Sequence, residues 1–206
     1  MSIANQIVRH KIVAIIRGAR PGDVIDIVHA LHAGGICAVE ITLNSDNALA
    51  LIKDIVAAMG NTMLVGAGTV LNAGAALAAI DAGAQFIISP SLDIETISVT
   101  KNSDIVSIPG AYTATEIVKA HEAGADIVKV FPASSPQYIK DLRGPLSHIP
   151  MMPTGGVNLS NIKAFQQAGG VAFGIGSSLV DAKEAVTKTY LEQLTATAAS
   201  FVKAIS

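Results

Sequence analysis

The chain has 206 residues, 50% of them hydrophobic and only 15% charged, with a formal net charge of −2. That length can bury roughly 70% of the extended chain's surface in one core, while so few charges predict that part of the outside is covered by self-association. The scattered basic residues exclude a nucleic-acid or membrane-surface partner, the single Cys37 excludes a disulfide or cysteine-built metal centre and points to a cytoplasmic setting, and no apolar run nears the roughly 20 residues of a membrane span.

Short β-branched runs alternate with Ala-rich segments of helical spacing along the chain. Ile12–Ile16 predicts a first strand, ended by Arg17-Gly18. Apolar Val24, Ile27, Val28 and Leu31 predict a helix stopped at Ala33-Gly34-Gly35, and residues 37–43 predict a second strand. A third strand is expected over 62–65, ended by Gly66-Ala67-Gly68-Thr69; the helix around 75–80 stops at Ala82-Gly83-Ala84 and feeds a fourth strand over 86–89. The fifth, 105–108, runs into Pro109-Gly110, after which Thr113 with Thr115-Glu116 reads as a helix cap. Beyond Ala123-Gly124-Ala125 come a sixth strand over 127–131 and a seventh, Met151–Pro153, ended by Thr154-Gly155-Gly156. The last, 171–173, follows Ala168-Gly169-Gly170 and ends in Gly174-Ile175-Gly176-Ser177.

Eight helix–turn–strand units of about 26 residues predict an α/β protein, a (β/α)8 TIM barrel forming a single domain over 1–206. The alternative is an open doubly wound sheet, but its dinucleotide form needs a third glycine where Leu71 stands.

Two charged residues interrupt strands that should be apolar throughout, Glu40 and Lys129. Strand parity puts Lys129 on the face of Ile127 and Phe131, and Glu40 on the face of Ala38 and Thr42, which in a filled barrel can be the interior. A buried, unpaired lysine loses its proton more readily, and a free amine near neutral pH is what Schiff-base chemistry requires. A buried Glu40–Lys129 ion pair that only fixes the packing is the competing reading. Glycine and hydroxyl clusters after the seventh and eighth strands favour chemistry, because barrels build phosphate sites there from backbone N–H groups. The five histidines stand with no carboxylates at ligand spacing, so no metal and no other cofactor is expected, and Ser134 and Ser135 lack the partners of a serine hydrolase.

Val39-Glu40-Ile41-Thr42, Gly66-Ala67-Gly68-Thr69-Val70, Ile88-Ser89-Pro90, Pro109-Gly110 with Thr115-Glu116, Val128-Lys129-Val130-Phe131-Pro132, Pro153-Thr154-Gly155-Gly156-Val157 and Gly176-Ser177 occur in order from Ile12 to about Leu179. Together they resemble the 2-keto-3-deoxy-6-phosphogluconate (KDPG) / 4-hydroxy-2-oxoglutarate (KHG) aldolase family. The resemblance implies a class I, Schiff-base aldolase on a (β/α)8 barrel, a homotrimer that splits a 2-keto acid phosphate into pyruvate and an aldehyde. It further implies Lys129 as the Schiff-base lysine and Glu40 as the general acid/base. Gly68 and Thr69 would hold the pyruvyl carboxylate, Pro90 and Phe131 would line the pocket, and Thr154, Gly155, Gly156, Gly176 and Ser177 would bind the phosphate. Arg17, ending the first strand, is a further candidate anion clamp.

One position departs from the pattern. Where gluconate-type members of the family place an arginine on the substrate carboxylate, this chain has Asn44, which, like Pro136-Gln137-Tyr138-Ile139, resembles members acting on the galactonate epimer, so 2-keto-3-deoxy-6-phosphogalactonate is the alternative substrate. Asn donates without charge, which leaves Arg17 to supply the cation. Outside the aldolases, a sugar-phosphate isomerase or a non-catalytic sugar-phosphate sensor would share the phosphate loops; reactivity of the Lys129 amine separates these readings.

Overall fold

The computed structural model describes residues 1–206. In chain order the elements are α1 (Ile3–His10), β1 (Ile12–Ile16), a 3-10 turn (Pro21–Asp23), α2 (Val24–Ala33), β2 (Ala38–Thr42), α3 (Ala48–Met59), β3 (Leu64–Gly68), α4 (Ala73–Asp81), β4 (Phe86–Ile88) and α5 (Ile94–Asn102). There follow β5 (Val106–Ile108), β6 (Gly110–Ala111), α6 (Ala114–Glu122), β7 (Val128–Val130), α7 (Pro136–Arg143), β8 (Met151–Pro153), α8 (Ile162–Gln167), β9 (Phe173–Ile175) and α9 (Lys188–Ala204). No helix is long and apolar enough to cross a membrane.

Every strand pairing is parallel. Six strands form a curled sheet in the order β5-β4-β3-β2-β1-β9, and β6, β7 and β8 form a second sheet of three. A bridge between Thr154 and Gly174 joins the end of β8 to β9, and on the other side only Pro109 separates β5 from β6. Proline has no N–H to give a ladder, so the run expected as one fifth strand becomes two short ones and the chain shows nine strands rather than eight.

Strand alternation sorts the apolar side chains into two layers. Ile12, Ala14, Ile16, Val39, Ile41, Val65, Val128, Met151 and Phe173 belong to a large buried cluster between sheet and helices. Their neighbours Val13, Ala38, Leu64, Phe86, Val106, Ile127, Met152 and Ala172 form a separate cluster on the concave side. These are the first inward positions of their strands, and Ile7 of α1 joins them, so α1 plugs the end where the strands begin. The opposite end, where the strands finish, is where the inward residues turn polar.

Two strands are displaced from their expected positions. β3 starts two residues later than expected and includes Gly66 and Gly68, and β9 is shifted to Phe173–Ile175 and includes Gly174. These glycines were expected as turn residues; instead each sits in a strand because something across the interior needs its space. A Cβ on Gly66 would collide with the Phe86 ring, on Gly68 with the Glu40 carboxylate, and on Gly174 with the Thr154 hydroxyl. The expected helix cap is present, as Thr113 and Glu116 form a reciprocal capping box at the start of α6.

Candidate active site at the carboxyl ends of the strands

A cleft of about 560 Å³ opens where β1, β7, β8 and β9 end. Of the residues singled out in the sequence, Arg17, Lys129, Phe131, Thr154, Gly155, Gly156, Gly176 and Ser177 line it. Lys129 sits at the centre of β7 with 3% of its surface exposed, its Nζ 5.1 Å from the centroid of the Phe131 ring. Burial pushes its amine below the ordinary lysine value; Glu40 opposes that shift and the Arg17 charge adds to it.

Glu40 lies on the inward face of β2, 1% exposed, and neither carboxylate oxygen has a hydrogen-bond partner within the chain. Burial raises its acidity constant above the ordinary glutamate value, against the pull of Lys129 and Arg17. The packing ion pair left open by the sequence is therefore not formed: the two groups sense each other's charge, yet Glu40 makes no bond to Lys129. The pair combines an amine biased toward its neutral form with a carboxyl biased toward its protonated form, and nothing in the chain holds the carboxyl's oxygens.

Gly68 lies directly beneath Glu40, with no room for a side chain between them. Thr69, in the left-handed region at φ 54°, accepts a 3.4 Å hydrogen bond from the Arg17 guanidinium. Arg17 thus leans from the end of β1 across to the end of β3. Two residues of the expected set stand apart. Asn44 is exposed on the loop after β2 and makes no side-chain hydrogen bond, and half-buried Pro90 packs its backbone against Gly110; neither lines the cleft.

The cleft also takes in residues that the sequence reading did not single out, among them Ile15, Asn158, Ser178, Asp181 and Lys183. Asn158 carried a usable signal, since Asn two residues after a glycine pair and three before Asn161 suits side-chain bonds to the loop backbone. Asp181 and Lys183 carried none, as they lie in a stretch without periodicity between β9 and α9.

The family model described as KDPG and KHG aldolase matches residues 3–197. The chain belongs to the KDPG and KHG aldolase family. It is a carbon–carbon lyase of the aldolase type. The 2-dehydro-3-deoxy-6-phosphogalactonate aldolase of Escherichia coli K12 is 39% identical over 196 residues, covering 94% of this chain and 93% of the relative. A 2-dehydro-3-deoxy-phosphogluconate aldolase of Pseudomonas aeruginosa is 35% identical over 155 residues, 74% of this chain and 70% of the relative.

Among solved structures, the KDPG aldolase of Legionella pneumophila, with pyruvate captured as a covalent carbinolamine, superimposes with a TM-score of 0.84 at 25% identity over 97% of this chain and 98% of that one. A cube-shaped protein cage made by fusing symmetric oligomeric domains superimposes with a TM-score of 0.88 at 38% identity, over 94% of this chain and 71% of that one. This aldolase therefore has the α/β architecture of its family, built on a curled parallel sheet of six strands.

Proposed function

We propose that the chain is a class I aldolase that cleaves a 2-keto-3-deoxy-6-phospho sugar acid to pyruvate and glyceraldehyde 3-phosphate, using Lys129 as the nucleophile and Glu40 as the general acid/base. The observation that carries this reading is the buried amine of Lys129, held toward its neutral form beside a carboxyl whose oxygens are unclaimed. The neutral Nζ adds to the C2 ketone, Glu40 hands a proton to the departing hydroxyl, and loss of water leaves an iminium. Glu40, now a carboxylate, takes the C4 hydroxyl proton. The C3–C4 bond breaks, its electrons pass into the iminium to form an enamine, and the aldehyde leaves. Protonation at C3 and addition of water release pyruvate and return the free amine, so the water lost on entry is regained on exit.

Arg17 and Thr69, bonded to each other, hold the pyruvyl carboxylate in this reading, with Gly68 keeping the space open. The phosphate lies against Gly155, Gly156, Gly176 and Ser177. The same site accepts 4-hydroxy-2-oxoglutarate, giving pyruvate and glyoxylate. A second reading, the galactonate epimer, is favoured by Asn44 and by the 39% identity to the E. coli galactonate-type enzyme. Parallel lyase assays on the two C4 epimers separate them. The whole chain is read as one (β/α)8 barrel, closed across the Thr154–Gly174 bridge and Pro109, and assembled as a homotrimer.

Borohydride reduction with pyruvate present, followed by peptide mass mapping, tests the chemistry. The expected result is a stable pyruvyl adduct on Lys129 that is lost in Lys129→Ala. A folded protein that gains no adduct would remove the Schiff base and bring back the isomerase and sensor readings.

A further inference from the structure

The loop after β8 has an unusual division of its backbone polar groups. Gly155 and Gly156 both adopt positive φ, 81° and 82°, and line the cleft with Val157 and Asn158. The N–H groups of Gly155, Gly156 and Val157 donate to nothing in the chain, and neither does that of Ser177 on the facing loop. The carbonyls of the same loop, in contrast, are taken by side chains. Gly156 O accepts from Asn161 Nδ2 at 2.8 Å and from Asn158 Nδ2 at 3.2 Å, and Val157 O accepts from Ser178 Oγ at 2.7 Å.

Asn161 does two things at once. Its Nδ2 holds the Gly156 carbonyl, and its Oδ1 accepts the Asn158 N–H at 2.8 Å, so one amide clamps both ends of the 156–158 segment. A carbonyl facing an anion repels it, whereas oriented N–H groups attract it. Tying the carbonyls back leaves the loop offering only donors to whatever enters the cleft.

We propose that Asn161, which does not itself line the cleft, is a positioning residue that sets this protein's preference for phosphorylated over unphosphorylated substrate by locking the 155–157 amides toward the cleft. The assignment of a phosphate to this loop rests on the function proposed above; the clamp is the added claim. Its net value is that of one or two hydrogen bonds, which corresponds to about a ten-fold change in anion affinity.

Two measurements test it. Inorganic phosphate is titrated into the folded protein while the amide resonances of Gly155, Gly156 and Val157 are followed. These should shift in the wild type, and the dissociation constant should rise about ten-fold in Asn161→Ala. The kcat/KM ratio for a 2-keto-3-deoxy-6-phospho sugar acid over its unphosphorylated counterpart should fall by a similar factor, carried by KM. Asn161→Asp, which keeps the acceptor for Asn158 N–H but loses the donor to Gly156 O, should fall with the alanine variant and serves if that one does not fold.

Phosphate that fails to move these amides, an affinity unchanged in both variants, or equal losses on both substrates would overturn the clamp. A wild type that binds phosphate on these amides, weakened by either substitution, but cleaves neither substrate would instead overturn the aldolase reading and leave the clamp standing.

Discussion

Lys129 has ten-odd ångströms of apolar strand around it and no anion bonded to it, so its charge is a liability that the fold carries. Its amine titrates below the ordinary value of about 10.5 in the folded chain, chiefly through burial. Between that depressed value and 10.5 the unfolded chain binds the proton and the folded one does not, so stability rises with pH across this window and is lost as pH falls through it. Each unit of depression corresponds to about 1.4 kcal/mol. Lys129→Met should therefore melt above the wild type at neutral pH, by about 2–4 °C per kcal/mol recovered, with the gap closing as pH approaches 10.5. Thermal melts from pH 7 to 10.5 check this, and a gap independent of pH would mean that the amine is charged in the fold. Glu40 has the opposite sign: its raised value makes its contribution fall as pH climbs from 4.5, so it does not mimic the lysine's slope.

At the scale of elements, the first inward side chain of each strand and Ile7 of α1 make one apolar plug at the end remote from the cleft. Ile7 is fully buried, and Ile7→Ala should cost about 2–5 kcal/mol. Denaturant melts should show that loss while kcat/KM well below the melting range stays at the wild-type value; a loss of activity without a loss of stability would mean that the two ends are coupled. The strands of this plug were legible in the sequence because β-branched runs and Ala-Gly stops are local signals. α1 was not, since an eight-residue helix offers only two or three inward positions. Gly66 and Gly174 misled for a different reason: each is small because of a partner far away in sequence, Phe86 and Thr154, and a one-dimensional reading takes such a glycine for a turn. Glu40 and Lys129 stood out because charge inside an apolar strand is itself the anomaly. The Asn161 clamp is a pattern of bond directions, which residue types alone do not carry.

The whole molecule presents large apolar side chains to solvent on one side. Leu71, in the loop after β3, is 61% exposed, and Leu77 of α4 and Leu49 of α3 are 44% and 41% exposed. A shallow groove lined by Leu43, Ala48, Leu49, Ala75 and Ala78 lies between the starts of α3 and α4. With charge limited to 15% of residues, this face lacks the polar cover that keeps monomers apart. A second copy is the occupant we expect, because a homologous domain serves as a symmetric oligomeric building block in the designed cage. Light scattering should give the wild type three times the 21.1 kDa of one chain. Leu71→Lys combined with Leu77→Lys should lower that mass in a concentration-dependent way, because two buried ammonium groups per interface cost several kcal/mol. A wild-type mass equal to one chain would sink the oligomer. A trimer untouched by the double substitution would keep the assembly but move its interface off the α3–α4 face.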